Sequence, residues 1–340
     1  MVGDKIRILV DGDSCPVIAN VEKIAKKYNI DVLVFVDYDH ELNLSYAELI
    51  KMDTENQSVD MEIVNRADSK DIIITQDYGL AALVLAKDVY VLNFYGKRYT
   101  NHNIDSLLMR RHHNAKMRRA GKSHPSHSKR TKEDDQKFED GLRDILILTE
   151  DFYKQDALTV ARELIGKILV RKIGDKKIIS KIVETEAYLG PEDKASHAYN
   201  NKKTKRTETM FKEGGIAYVY LIYGMYYCLN VVTASKGKPE AVLIRAIEPL
   251  SGLEIVKENR QIKSEREEDL TNGPGKLCQA LAVDEKLDGV KLVAKNGIYI
   301  IEGNSTDFEI KKGKRVNIDY AEEYKDKLWR FYLKGSSYLS

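Results

Sequence analysis

The chain has 340 residues, 43% of them hydrophobic and 32% charged, which suits a globular protein with two cores and excludes a disordered or fibrous one. Lys and Arg total 55 against 53 Asp and Glu, so a histone-like polycation is excluded while a basic face that meets nucleic acid is not. Cys15, Cys228 and Cys278 are too few and too scattered for a disulfide framework or a CxxC zinc site.

No run approaches the ~18 apolar residues of a membrane span, and no leader pattern opens the chain. No membrane partner is expected, and a reducing cytoplasm is the expected compartment. Two domains are expected, 1–147 and 148–340.

The first domain alternates apolar runs with helix-length segments. Ile6–Val10, Val32–Val36, Asp71–Asp77 and Val89–Asn93 read as buried strands, several of them bordered by an acid. Between the first two, Pro16 suits a first helical turn with Asp13 or Ser14 as N-cap, and the helix continues through Lys27. Continuous β-branched runs separated by helices predict an α/β domain with a mostly parallel sheet.

Arg110–Lys132 then carries nine Lys or Arg, no Asp or Glu, and His112, His113, His124 and His127. Two readings stand, a solvated basic loop or a contact with phosphates, where clustered cations release counterions. The histidine spacing lacks the rigid apolar frame that a zinc site needs. An acidic helix, Glu133–Leu146, closes the domain.

The second domain reads as α+β with a mixed or antiparallel sheet. Leu158–Leu164 is an amphipathic helix, and strand-like runs follow at Lys167–Ile173, Lys177–Tyr188, Ile216–Val232 and Ala241–Glu248. Glu258–Asp269 is a charge-dense insertion. In the run from Ile182 to Tyr188, strand periodicity puts Glu184, Glu186 and Tyr188 on one face and Val183, Thr185 and Ala187 on the other. Spacing alone leaves that acidic face either solvated or catalytic, with Glu186 as a general base.

Five of the twenty tyrosines fall in the eleven residues Tyr218–Cys228. Tyrosine favours strands, so a plain hairpin core is one reading. The other is a set of stacking surfaces for nucleobases, with Lys202, Lys203, Lys205 and Arg206 close by for phosphates.

Five segments then carry a resemblance: VETEAYLGPEDKASHA (Val183–Ala198), AYVYLIYGMYYCLNV (Ala217–Val231), VLIRAIEPLSGLE (Val242–Glu254), NGPGKLCQAL (Asn272–Leu281) and RFYLKGS (Arg330–Ser336). Asp151–Ser340 resembles the alkyladenine (3-methyladenine) DNA glycosylases throughout. The resemblance implies that Glu186 activates water and Arg245 helps to position it. It implies Tyr188, His197 and Tyr220 as walls of a base pocket, with Asn230 disfavouring guanine. Tyr223, on an intercalating hairpin, would fill the gap in the duplex. Lys202, Lys203 and Lys276 are weaker candidates for the DNA backbone.

The chemistry accounts for these residue types. A lesion inside a duplex must be extruded before it can be cut, and a wedge then plugs the hole. Alkylated purines are cationic, and a tyrosine face attracts a cation by ~0.5–2 kcal/mol. A carboxylate steadies the oxocarbenium-like sugar while taking a proton from water. Arg245 close by is expected to lower the Glu186 pKa. The family implies no metal, no Schiff base, and an abasic product without strand cleavage.

The first domain resembles the YaiI/YqxD family, related to PIN-domain nucleases, through ILVDGDSCPV (Ile8–Val17), the Val59–Ala81 stretch and GKRYT (Gly96–Thr100). Gly12 and Ser14 stand where that family usually has Ala. The resemblance implies Asp11, Asp60 and Asp77, with Asp13 and Asp71, as candidate ligands for Mg2+ or Mn2+, the ions that oxygen ligands suit. Aspartate capping of strand-to-helix turns is the competing explanation.

The leading expectation is therefore a glycosylase acting on alkylated purines in duplex DNA, in a bacterial, nucleoid-associated setting, joined to a PIN-like domain. The alternatives are a damage-binding protein without turnover, and a first domain that is either a metal-dependent nuclease or an adaptor for RNA or single strands.

Overall fold

The computed structural model describes residues 6–38, 41–52, 59–119, 129–262, 266–303 and 308–340. The chain divides into two compact units, Met1–Leu146 and Ile147–Ser340.

The first unit holds a six-stranded sheet of β1 (Arg7–Asp11), β2 (Asp31–Asp37), β3 (Glu48–Met52), β4 (Ile72–Ile74), β5 (Tyr90–Leu92) and β6 (Arg98–Tyr99). Their order is β3-β2-β1-β4-β5-β6, parallel except for the β5–β6 pair. The chain winds outward from β1 and restarts at β4 on its other side. The switch point, where open α/β sheets form their crevice, therefore lies between the carboxyl ends of β1 and β4.

Helices α2 (Val59–Arg66) and α3 (Tyr78–Leu85) bury Ile63, Leu80 and Val84 against Leu9, Phe35 and Ile73. Also in this unit are α1 (Ile18–Tyr28), α4 (Ile104–Arg119) and α5 (Lys132–Leu146), and α1 meets α5 where Lys23 and Asn20 bind Glu139. Among the described residues no helix is long and apolar enough to cross a membrane.

Two local readings need correction. Neither Asp13 nor Ser14 caps α1, which starts only at Ile18 after Val17 with no side-chain cap. Ser14 instead has φ 59°, and Cys15 N–H donates to Gly12 O, so a turn separates strand from helix. In this backbone a Cβ on Gly12 would meet Phe35 O at 2.7 Å, so an alanine there would need the turn to shift. The expected strand Asp71–Asp77 shrinks to Ile72–Ile74, because Asp77 caps α3 through Gly79 and Leu80 N–H.

The second unit packs its helices on an antiparallel sheet of β7 (Ile168–Ile173), β8 (Lys176–Leu189), β9 (Ala217–Ile222), β10 (Tyr226–Thr233), β11 (Glu240–Ser251), β12 (Ile298–Ile301), β13 (Ile310–Gly313) and β14 (Arg330–Leu333). The order is β12-β7-β8-β11-β10-β9, with β14 joining the far part of β8 and β13 pairing β14. Helices α6 (Glu150–Tyr153), α7 (Ala157–Glu163), α8 (Leu253–Arg260) and α9 (Pro274–Ala280) belong to this unit. One core joins Val160 of α7 and Leu164 just after it with Leu277 of α9 and with Val183, Ala187, Val231 and Ile244 of the sheet. This is the apolar face that the alternation in β8 predicts.

Candidate active site

β8 lies at the centre of the sheet, between β11 and β14, at the residues that matter. Glu186 is level with Leu243 on one side and Arg330 on the other. The acidic face is therefore not solvated: Glu184 and Glu186 are both 0% exposed. Burying two carboxylates is costly unless cations and donors meet them, and here they do. A register shift in β11 between Ile244 and Ala246 marks the site of Arg245, as bulges commonly re-aim a side chain beside a functional site. Its Nη1 stands 3.4 Å from Glu186 Oε1, and its Nε 3.1 Å from Glu184 Oε1.

Glu186 also accepts Val316 N–H at 2.7 Å and the Tyr188 hydroxyl at 2.8 Å. Burial outweighs these partners and raises its pKa, although Arg245, Val316 and Tyr188 each pull it down. The expected lowering by Arg245 is thus present but not decisive. A raised pKa moves a carboxylate toward neutrality, where a general base works best.

Next to Glu186 opens a cavity of about 240 Å3 lined by Tyr188, His197, Tyr220, Tyr223, Asn230 and Arg245 among others. Glu186 itself is one layer behind that lining, but it touches three members of it, Tyr188, Val316 and Arg245. The His197 and Tyr220 rings meet at 4.5 Å and 75°, forming an edge. Burial, aided by Arg206, holds the His197 pKa down to about 4, so the ring is neutral, and its Nδ1 lies 3.0 Å from the Tyr218 hydroxyl. Asn230 Nδ2 donates to the carbonyls of Tyr218 and Cys228, which fixes its amide at the wall.

Tyr223 stands at the β9–β10 turn, 76% exposed. Its φ is 53° and that of Gly224 is 69°, the mirror-image turn that suits tight hairpins. A tyrosine in that region is strained by roughly 1–2 kcal/mol, and such strain collects at functional sites. Leu221, Met225 and Tyr226 are exposed beside it. Lys202 and Lys203 are exposed too, Lys203 resting over Phe211. Lys276, in α9, donates to Asn272.

The model of the methylpurine-DNA glycosylase family matches residues 151–337. The chain belongs to that family. A relative from Natranaerobius thermophilus is 55% identical over 194 residues, which span 57% of this chain and 98% of the relative. Others, from Desulfitobacterium hafniense and Clostridium beijerinckii, are 50% and 48% identical, over 57% of this chain and 98% and 99% of their own. All three bear the name "Putative 3-methyladenine DNA glycosylase". Residues 9–148 match the model of the uncharacterised YaiI/YqxD family.

Sequence reasoning missed what stands behind the aromatic cavity of this methylpurine-DNA glycosylase family member. Arg315, its side chain fully buried, forms a two-pronged pair with buried Asp193 at 2.5 and 2.8 Å and donates to Ala187 O. Its guanidinium lies 4.7 Å from the Tyr188 ring and 4.9 Å from Trp329. Asp193 accepts Leu189 and Ala195 N–H, so the pair ties the loop of His197 to the loop of Val316. Asp193 lies inside a segment quoted for the resemblance, while nothing near Arg315 in sequence singles it out.

Of the first unit's acids, Asp11, Asp13, Asp60 and Asp77 lie within electrostatic reach of one another, while Asp71 stands apart. Asp11 and Thr75 meet at the switch point, where the Thr75 hydroxyl donates to Asp11 at 2.7 Å, and burial pushes the Asp11 pKa up to about 6. Asp60 is near enough to feel Asp77 and Asp13, and burial raises its pKa as well. Asp77 opposes burial with α3 N–H groups and Arg111, which lower its pKa.

Asp71 is a correction: it precedes β4, at the opposite edge from Asp11, and is held by Arg7 at 2.6 Å. Among the described residues no three His, Cys, Asp or Glu side chains are grouped to hold a metal ion. As placed, the acids form no ligand set for Mg2+ or Mn2+ among the described residues. His112 and His113 are exposed on α4, while His124 and His127 lie outside the described residues.

Proposed function

We propose that the Ile147–Ser340 unit is a monofunctional DNA glycosylase that hydrolyses the N-glycosidic bond of 3-methyladenine and related alkylated purines in duplex DNA. The observation that carries this reading is the contact of one buried carboxylate, Glu186, with three members of an aromatic cavity, Tyr188, Val316 and Arg245.

In this reading the flipped purine enters beside Tyr188, His197 and Tyr220, and Tyr223 occupies the vacated place in the stack. A neutral His197 adds no repulsion toward a cationic base. Asn230, tied to two backbone carbonyls, cannot swing aside for the 2-amino group of guanine. The departing base takes the electron pair of its bond to the sugar, which neutralises the positive charge of the alkylated ring. Water adds its oxygen to the sugar carbon and loses its proton to Glu186, while Arg245 Nη1 orients the carboxylate. These steps use protein side chains and water, and the strands stay intact. Lys202, Lys203 and Lys276 are proposed to meet phosphates, which makes binding weaken with salt.

Methylated duplex DNA incubated with the full chain should release free 3-methyladenine and leave alkali-labile abasic sites without strand breaks. Glu186→Gln should bind the duplex and release nothing. Binding by the wild type without release would instead support the damage-binding reading, and release by Glu186→Gln at the wild-type rate would remove Glu186 from its role.

A further inference from the structure

A second buried acid lies beside the proposed base with no part in the chemistry so far. Glu184 is 0% exposed. Its Oε1 accepts from Arg245 Nε at 3.1 Å, Arg330 Nε at 2.5 Å and the Ser340 hydroxyl at 3.0 Å, and its Oε2 accepts Ser340 N–H at 2.7 Å. The Ser340 hydroxyl in turn lies 3.1 Å from Arg245 Nε and 2.8 Å from its Nη2. One face of the Arg245 guanidinium fork is thereby occupied, and Nη1 remains for Glu186 and the cavity.

We infer that Glu184 and Ser340 are positioning residues that orient Arg245, so that its Nη1 faces Glu186. The inference rests on the proposed glycosylase reading. A guanidinium is a planar fork with donors in fixed directions. Taking up Nε and Nη2 from one side leaves a single orientation, which a lone contact at 3.4 Å to Glu186 does not impose. The arrangement also settles the charge: Glu184 and Glu186 face Arg245 and Arg330, two anions against two cations.

The groups bearing on Glu186 are Glu184 and Tyr188 from its own strand, Arg245 from β11 and Val316 N–H from the 314–318 loop. Arg330 reaches it through Glu184, and Cys228 and Tyr320 act from the cavity side. Glu184, as a like charge, raises the pKa of Glu186, and Arg245 lowers it. Replacing Glu184 by Gln removes the anion while the amide oxygen can still accept Arg245 Nε, so the guanidinium stays aimed and loss of the like charge favours ionised Glu186.

The test is the single-turnover rate of 3-methyladenine release from methylated duplex across pH, corrected for uncatalysed depurination, with folding followed by Trp329 fluorescence. In Glu184→Gln the acid limb should move down by about one pH unit. In Ser340→Ala, at an exposed residue, duplex affinity should hold while the rate falls about tenfold, of the order of one lost hydrogen bond to a charged group. A third readout needs no turnover: the side-chain Nε–H resonance of Arg245 in the full chain, sharp in the wild type and broadened in Ser340→Ala.

A folded Glu184→Gln whose rate and acid limb both match the wild type overturns the inference, as does an unchanged Ser340→Ala rate. Should Glu184→Gln fail to fold, Ser340→Ala decides alone. A wild type that releases no base defeats the glycosylase reading instead, and the Arg245 resonance then still decides whether Ser340 orients the guanidinium.

Discussion

The Arg315–Asp193 pair offers the sharpest energetic test of how the pocket is held. Both side chains are 0% exposed, and two charge-assisted bonds of 2.5 and 2.8 Å join them. Arg315→Met keeps much of the stem between Tyr188 and Trp329 but leaves the Asp193 carboxylate buried without its cation. Breaking a buried pair from one side costs about 3–5 kcal/mol, and the two ring contacts add roughly 0.5–1 kcal/mol each. Lys314, the preceding residue, pairs with Asp326 while both are more than half exposed, so Lys314→Met should cost under about 1 kcal/mol.

The assay is urea unfolding followed by Trp329, the chain's single tryptophan. That residue packs on Arg315, so the transition read is that of the second unit. Arg315→Met with Asp193→Asn should recover part of the loss, because the unpaired charge is gone. A single-variant cost no greater than that of Lys314→Met would refute the reasoning, as would a double variant as unstable as the two singles added together.

Two further predictions follow from the carboxyl groups. Tyr188→Phe keeps the ring but removes the hydroxyl that donates to Glu186; a lost donor to the charged form raises the pKa further, so the acid limb of base release should move up, opposite to Glu184→Gln. Asp11 has a folded pKa raised from 3.8 to about 6, so the folded state holds its proton where the unfolded state has released it. Stability of the first unit should therefore fall as pH rises from about 4 to about 6 and then level off, by roughly 1–3 kcal/mol after discounting for partial exposure. Asp11→Asn should remove its share of that slope, read by hydrogen exchange of the β1 amides in the full chain, and a slope identical in wild type and Asp11→Asn would contradict the burial argument.

What was legible in the sequence follows from how local each signal is. The alternation in Ile182–Tyr188 placed two acids and a tyrosine on one face correctly, because strand periodicity is a property of neighbours. It could not tell a wet face from a buried one. That depends on β14, a short strand near the chain's end, covering Glu184 and Glu186, and on β11 bulging to deliver Arg245. The acids of the first unit show the same limit. Asp11 and Asp71 both border an apolar run, yet in a parallel sheet a residue that follows its strand and one that precedes it lie at opposite edges. Asp11 thus reaches the switch point, while Asp71 becomes the buried partner of Arg7.

Arg315 carried no signal at all, since its partner Asp193 is 122 residues away and its rings, Tyr188 of β8 and Trp329 just before β14, belong to other segments. Yet this pair holds the back of Tyr188 and the loop that gives Val316 N–H to Glu186. Burial and ion pairing act in opposite senses here, and that opposition is what a general base requires. A carboxylate on a solvated strand would stay far below neutrality and be a poor proton acceptor. One buried without partners would stay protonated and accept nothing. Glu186 is pulled both ways: the centre of a sheet removes water and raises its pKa, while Arg245, Val316 and Tyr188 return part of the stabilisation that water supplied. Each of those three is held by residues distant in sequence or by the backbone, so the reactivity proposed for Glu186 would be a property of the assembled sheet rather than of the motif that contains it.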